Sequence, residues 1–177
     1  MFEYKRLHEL IGIAAGKNEP LFILILDGIE DPHNFGAILR TAEAAGCHGV
    51  VIRKARQVQV TETVVKVSTG ASNLVPIARV ANIAEAISSL KKEGIVVMGV
   101  EIDGSQVYNE TDMRVPVALV IGSEGNGLSR LVKERCDIVV KIPMRGKINS
   151  LNASVATGLL LYEVLRQRTQ RSLGSHS

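Results

Sequence analysis

Tryptophan is absent from this 177-residue chain, and only three phenylalanines and three tyrosines occur. So few aromatic rings cannot supply the base-stacking platforms on which many single-strand nucleic-acid binders rely, so specific reading of bases needs help from elsewhere. Cysteine is scarcer still. Cys47 and Cys136 lie far apart, outside any CxxC or His-rich setting, which excludes a disulfide framework and a zinc site and fits two reduced, buried thiols. Apolar runs reach about half of the roughly 20 residues that span a bilayer, so no membrane helix is expected. The opening MFEYKRLHELIGIAAGKNEP mixes acidic with basic residues and lacks a continuous apolar stretch, so it does not read as a secretory signal. The expectation is a cytoplasmic protein with no metal and no membrane partner. No internal repeat, low-complexity tract or interdomain linker is visible.

What is present fits one domain with a single core. The boundaries read as an N-terminal helical segment at 1–18, a main domain at 19–170, and a frayed tail at 171–177 whose final Gly-Ser-His-Ser is native or vector-derived. Formal net charge is +3 with an isoelectric point near 9.0, which permits a polyanionic partner without requiring one. Basic residues gather in three places: Arg53, Lys54 and Arg56; Arg145 and Lys147; and Arg166, Arg168 and Arg171. Each group alone reads as a solvated face, while three in one small domain point toward nucleic acid.

Short β-branched runs alternate with helical patterns. Strands are expected at 21–26, 50–52, 95–100, 117–121 and 138–142, with a weaker one at 74–77. Helices are expected at 3–15, 34–46 and 82–93, and an apolar helix follows the polar cluster Asn149, Ser150, Asn152 and Ser154. This alternation implies an α/β fold, a parallel sheet of about six strands with helices on both faces. A helix apolar on every side is expected to be buried, holding the cluster at its mouth deep in the fold.

Open parallel sheets bind ligands beyond the C-terminal ends of their strands. Three loops fall there: 27–34, 122–129 and 143–152. In the first, Asp31-Pro32 is a helix start with an acidic cap, a structural reading that leaves Arg40 unexplained. Its structural alternative is a surface arginine paired with Glu43. His33 is placed either as a base or as a partner of the loop backbone. In the second, GSEGNG follows an apolar strand and puts Glu124 at the strand end, either as a plain glycine turn or as a loop approached closely by a ligand. Its order is GxxGxG, not the GxGxxG of dinucleotide sites. In the third, several possible N-caps follow one another, and a helix needs only one.

Taken together, DPHNFGAILRTAEAAG, ALVIGSEGNGLS and IPMRGKINSLNASVATGLLLYEVLRQR resemble the three motifs of the SpoU (TrmH-type) branch of the SPOUT RNA methyltransferases, across about 24–168. The resemblance implies a deep C-terminal trefoil knot around 143–168, a homodimer, and transfer of methyl from S-adenosylmethionine to a ribose 2′-hydroxyl in ribosomal or transfer RNA. The third motif is most similar to enzymes modifying a guanosine of large-subunit ribosomal RNA. Carried over residue by residue, Asn34, Arg40, Glu124, Ser150 and Asn152 are the catalytic set. The cofactor falls to Val100, Gly122, Ile142, Met144, Ser150, Leu151 and Asn152. Relatives of that type usually carry a small N-terminal RNA-binding domain, and here one helix precedes the first strand. Two readings from other classes stand beside this one: a catalytically silent RNA-binding knotted protein and a nucleotide-dependent oxidoreductase.

Overall fold

The computed structural model describes residues 2–55 and 59–174, with side chains through 169; Arg56, the side chain of Arg171 and His176 fall outside this range. The strands are β1 (Phe22–Asp27), β2 (Gly49–Arg53), β3 (Ile77–Val80), β4 (Val96–Val100), β5 (Gln106–Val107), β6 (Val117–Gly122) and β7 (Ile138–Lys141). They form one sheet in the order β3-β2-β1-β6-β4-β7-β5, with every pairing parallel. The helices are α1 (Leu7–Gly16), α2 (Pro32–Ala44), α3 (Glu62–Val67), α4 (Ile83–Lys92), α5 (Arg130–Arg135) and α6 (Ala153–Gly174).

The alternation within FILILD explains the layers. Phe22, Leu24 and Leu26 pack on one face with Phe35, Ile38 and Leu39 of α2 and Leu160, Leu161 and Val164 of α6. Ile23 and Ile25 pack on the other face with Leu10 of α1, Ile87 and Leu90 of α4 and Val132 of α5. Central strands covered on both sides must be apolar throughout, and all six residues of β1 are buried. Successive strands β1, β2 and β3 wind toward one edge, whereas β6 lies on the opposite side of β1 and β4 beyond it. The order therefore reverses beside β1, and the crevice at such a switch point is where open parallel sheets take ligands.

Four expectations change. The third strand lies at Ile77–Val80, not at 74–77, because Gly70 adopts φ +87° and starts a 3₁₀ turn at Ala71–Asn73 that leaves Leu74 exposed. The first helix starts at Leu7; residues before it run extended along β3, where Lys5 N–H donates to the Ile77 carbonyl at 2.8 Å. Phe2 and Tyr4 form an edge-to-face pair there, and the Arg79 guanidinium stacks 4.0 Å from the Tyr4 ring. Helix α3, capped by the Thr61 hydroxyl, and the two-residue β5 were not foreseen. Helix α6 continues to Gly174, past Ser172 where fraying was expected.

The burial argument for α6 also fails in part. Leu160, Leu161 and Val164 are fully buried, but Val155, Leu159 and Tyr162 share an exposed face at spacings of four and three. Asn149, Ser150 and Asn152 are exposed as well. An apolar circumference records the whole surface a helix covers, and it does not distinguish the chain's own core from a face left open. At the other end of α6, the Arg168 guanidinium is no solvated cation. It donates to the carbonyls of Pro20, Leu21, Met113 and Val115 and lies 5.4 Å from the Phe22 ring centre, sewing α6 to the entry of β1 and β6.

Candidate active site at the strand ends

Asp31 accepts a hydrogen bond from the His33 N–H at 2.8 Å and, with Pro32 in the first turn, sets the start of α2 just beyond β1. That fixes Asn34 facing the loop after β6. The loop itself is a tight reversal: Gly127 N–H donates to the Ser123 carbonyl at 2.8 Å, and Asn126 N–H to the Ser123 hydroxyl at 3.2 Å. Gly122 is required by contact, since a Cβ there would lie 2.2 Å from the Gly127 carbonyl carbon. Gly127 adopts φ +62°. The far side of the loop is held by two carboxylates. Asp27, buried at the end of β1, accepts from Ser129 N–H at 2.9 Å, and Glu101, just past β4, accepts from Leu128 N–H at 3.1 Å.

The three motif loops meet in a hydrogen-bonded ring. Asn152 Nδ2 donates to Asn34 Oδ1 and to Glu124 Oε1, both at 3.1 Å, and Asn34 Nδ2 donates to the same Glu124 oxygen at 3.2 Å. Asn152 Oδ1 is turned the other way, accepting from the N–H groups of Ser154 at 2.9 Å and Val155 at 3.3 Å and from the Ser154 hydroxyl. The cap therefore fixes the amide orientation and leaves only donors to face the ring. Ala153 N–H donates to Glu124 Oε1 at 2.9 Å, and Ala156 N–H to the Asn152 carbonyl at 3.0 Å. Three of the N–H groups that an α-helix leaves open at its start, those of Ala153, Ser154 and Val155, are thus satisfied by two ring residues, and the Ala156 bond is the first of the helix's own ladder. Glu124 Oε1 thus takes three donors at a helix N-terminus.

A cleft of about 340 Å³ opens beside this ring. Val100, Gly122, Ile142, Met144, Ser150 and Leu151 all line it, as does Glu124. Asn152 does not; it stands behind Ala153 as part of the supporting ring. Asn34 lines a second cleft on the other side of Glu124, together with Asp27 and Arg53. Arg40 lies on the exposed side of α2, lines neither cleft, and has no hydrogen bond or ion pair among the described residues. Neither the alternative pairing with Glu43 nor a hydrogen bond to Asn34 or Glu124 is present among the described residues; six residues of helix displace Arg40 about 9 Å along the axis from Asn34. His33 is exposed; its backbone N–H donates to Asp31, and its ring Nδ1 lies 3.5 Å from the same carboxylate oxygen.

Sequence reasoning missed Asp27 and Glu101, and it marked Arg53 only as one of a basic group. For Glu101 a signal existed, since it follows Val100 directly at a strand end. Cys136 packs against Gly99, and burial pushes its thiol up to about 11. Among the described residues no group of three or more His, Cys, Asp or Glu side chains could hold a metal ion.

Residues 21–162 match the SpoU rRNA Methylase family. The chain belongs to that family. A SpoU relative in Bacillus subtilis, YacO, assigned to the TrmH family of tRNA/rRNA methyltransferases, is 53% identical over 167 residues, covering 94% of this chain and 67% of YacO. The SpoU methyltransferase AviRb of Streptomyces viridochromogenes, solved with its cofactor AdoMet, superposes with a TM-score of 0.80 at 33% identity. That match covers 85% of this chain and 59% of AviRb, so the chain spans about three fifths of that relative. The TrmH/SpoU tRNA modifying enzyme of A. aeolicus gives 0.78 at 30% identity, over 89% and 79% of the two chains. The parallel sheet with flanking helices is the SpoU/TrmH SPOUT architecture.

Proposed function

We propose that this SpoU-family chain transfers the methyl group of S-adenosylmethionine to a ribose 2′-hydroxyl of RNA, with a guanosine of large-subunit ribosomal RNA as the first target and transfer RNA as the second. The observation that carries this reading is the Asn34–Asn152–Glu124 ring, which joins all three motif loops against a cleft of cofactor size. The cleft's chemistry fits the cofactor: Ile121, Ile142, Met144 and Leu151 offer apolar walls to a purine, and Gly122 allows close backbone approach. When bound, the cofactor supplies an activated methyl on a sulfonium that leaves as a neutral thioether.

The protein's own residues orient the acceptor and handle its proton. Glu124 separates the cofactor cleft from the cleft of Asn34 and Arg53, so a hydroxyl held by Asn34 approaches along the shared wall. The exposed cations Lys54, Arg145 and Lys147 flank these strand ends and suit RNA phosphates. Arg40 is a poor base, being always protonated; it stabilises the developing alkoxide or recruits an RNA phosphate to take the proton. Its outward position means that this role is met only when RNA or a second copy of the chain completes the site. A homodimer through the exposed Val155, Leu159 and Tyr162 face of α6 supplies that second copy. The knot expected of this architecture would run through 143–168, and the enzyme would work in the cytoplasm, where its RNA is found. No helix among the described residues is long and apolar enough to cross a membrane.

The test is calorimetry with S-adenosylhomocysteine followed by tritium transfer from labelled cofactor to purified large-subunit rRNA and tRNA, with mapping of the modified ribose. Arg40→Ala should abolish transfer and leave cofactor binding nearly intact; near-normal turnover would sink the assignment. RNA binding without transfer to either substrate would favour the silent knotted protein, and preferential binding of NAD the oxidoreductase.

A further inference from the structure

The carboxylate of Glu101 is fixed at the cleft wall and only half used. Its backbone is pinned on both sides, the N–H donating to the Val140 carbonyl at 3.0 Å and the carbonyl accepting from Gly104 N–H at 3.2 Å. Oε1 accepts from Leu128 N–H at 3.1 Å, while a Cβ at Gly127 would lie 2.5 Å from Oε2, so the carboxylate lies flush against a glycine. Among the described residues no cation pairs with it; the nearby Lys133 ammonium donates to both oxygens of Asp103 at 3.0 Å. Oε2 thus has no donor among the described residues, yet Glu101 lines the cleft beside the apolar Val100 and Ile102.

An acceptor-only group with a free oxygen calls for a ligand that brings donors. Strand order says which donors. Glu101 directly follows β4, which pairs with β6, the strand that delivers the close-approach glycine Gly122. In dinucleotide-binding parallel sheets an acidic side chain at a neighbouring strand end captures a ribose hydroxyl, which shows that a carboxylate so placed suits a diol. Here the acid lies upstream of its glycine loop in the sequence, which is why no downstream search would find it. We infer that Glu101 holds the ribose diol of the adenosyl cofactor, Oε2 accepting from its hydroxyls while Oε1 keeps the Leu128 end of the loop in place.

This assignment rests on the cofactor reading above, and the experiment separates the two. Binding of S-adenosylmethionine, S-adenosylhomocysteine and 5′-methylthioadenosine is measured by calorimetry on the wild type and on Glu101→Gln, whose amide oxygen still accepts from Leu128. Methylthioadenosine carries neither sulfonium nor ammonium. Loss of a hydrogen bond to a charged acceptor should weaken all three ligands by a similar factor, on the order of 10-fold or more. The 2′-deoxy form of methylthioadenosine should bind the wild type weakly and lose little further in the variant. An unchanged melting temperature for Glu101→Gln shows that the loop is intact. Weakening of S-adenosylmethionine alone would overturn the diol assignment in favour of charge sensing, and unchanged affinities would reduce Glu101 to a loop anchor. A wild type that binds none of the three overturns the cofactor reading itself.

Discussion

Replacing Asn152 by aspartate exchanges one amide nitrogen for oxygen and separates two jobs done by a single side chain. The cap survives, because Asp serves the N–H groups of Ser154 and Val155 as well as Asn does. The ring does not. The second carboxylate oxygen would face Glu124 Oε1 at the 3.1 Å now spanned by Asn152 Nδ2. Like charges at that separation repel by about 1 kcal/mol at the dielectric of water and about 5 kcal/mol at an effective value of 20. Both side chains are exposed, so the lower figure governs. Two lost hydrogen bonds add about 1 kcal/mol each at most, giving an expected cost of about 2–3 kcal/mol. Asn152→Ser keeps a cap and adds no charge, so it should cost about 1–2 kcal/mol; Asn152→Ala also loses the cap, about 1 kcal/mol more. Urea unfolding measures the series, and added salt should relieve the aspartate variant alone. An aspartate variant as stable as the wild type at low salt would show that the amide does not face Glu124.

Four further outcomes follow from the same geometry. Arg168→Ala removes a donor from four carbonyls, of which Leu21 keeps the Val117 N–H, and should destabilise the fold by about 2–4 kcal/mol, while Arg168→Lys recovers only part because one ammonium cannot reproduce the fork; unchanged unfolding of the alanine variant would refute the clamp. Gly122→Ala should abolish binding of S-adenosylhomocysteine, since its methyl meets backbone at 2.2 Å that cannot yield without opening the loop; calorimetry decides. A hydrogen bond from Arg166 holds the Glu163 carboxyl below its ordinary 4.5. That stability is present above 4.5 and is lost as the pH falls through the lower folded value, so Glu163→Gln should shrink the acid loss seen in melting curves. Burial pushes the Cys47 thiol up to about 12. The unfolded thiol ionises first, so stability is lost as the pH climbs from 9.0 toward that value, and at pH 8 a thiol reagent should label Cys47 only after unfolding.

The sheet and its flanking helices were legible because a central parallel strand must be apolar throughout while its helices show one stripe. Even the loops that carry the site could be found from strand ends alone. The misplaced third strand shows where such reading stops: Leu74 and Val75 have strand-like side chains, but a left-handed glycine upstream spends them on a turn. Arg168 and Arg53 look alike in a sequence, yet one is drawn inward by four carbonyls and the other lines a cleft. Which of these a cation does depends on groups over 50 and up to 148 positions away. The same holds for Glu101, whose significance comes from the adjacency of β4 and β6, a fact of strand order.

The polar residues before α6 exceed what a cap needs, and the structure divides them by task. Asn152 takes the cap and the ring together, while Asn149 and Ser150 line the cleft with no hydrogen bond among the described residues and face the space a ligand would fill. Because Glu124 and Asn152 between them satisfy the N–H groups of Ala153, Ser154 and Val155, the first turn of α6 and the ring support one another, and the ring needs β1 and β6 to present Asn34 and Glu124. Site geometry is therefore tied to completion of the fold at the last helix. Fraying of that one turn releases Glu124 and Asn34 together, so substitutions there should lower ligand affinity more than their small cost in global stability would suggest.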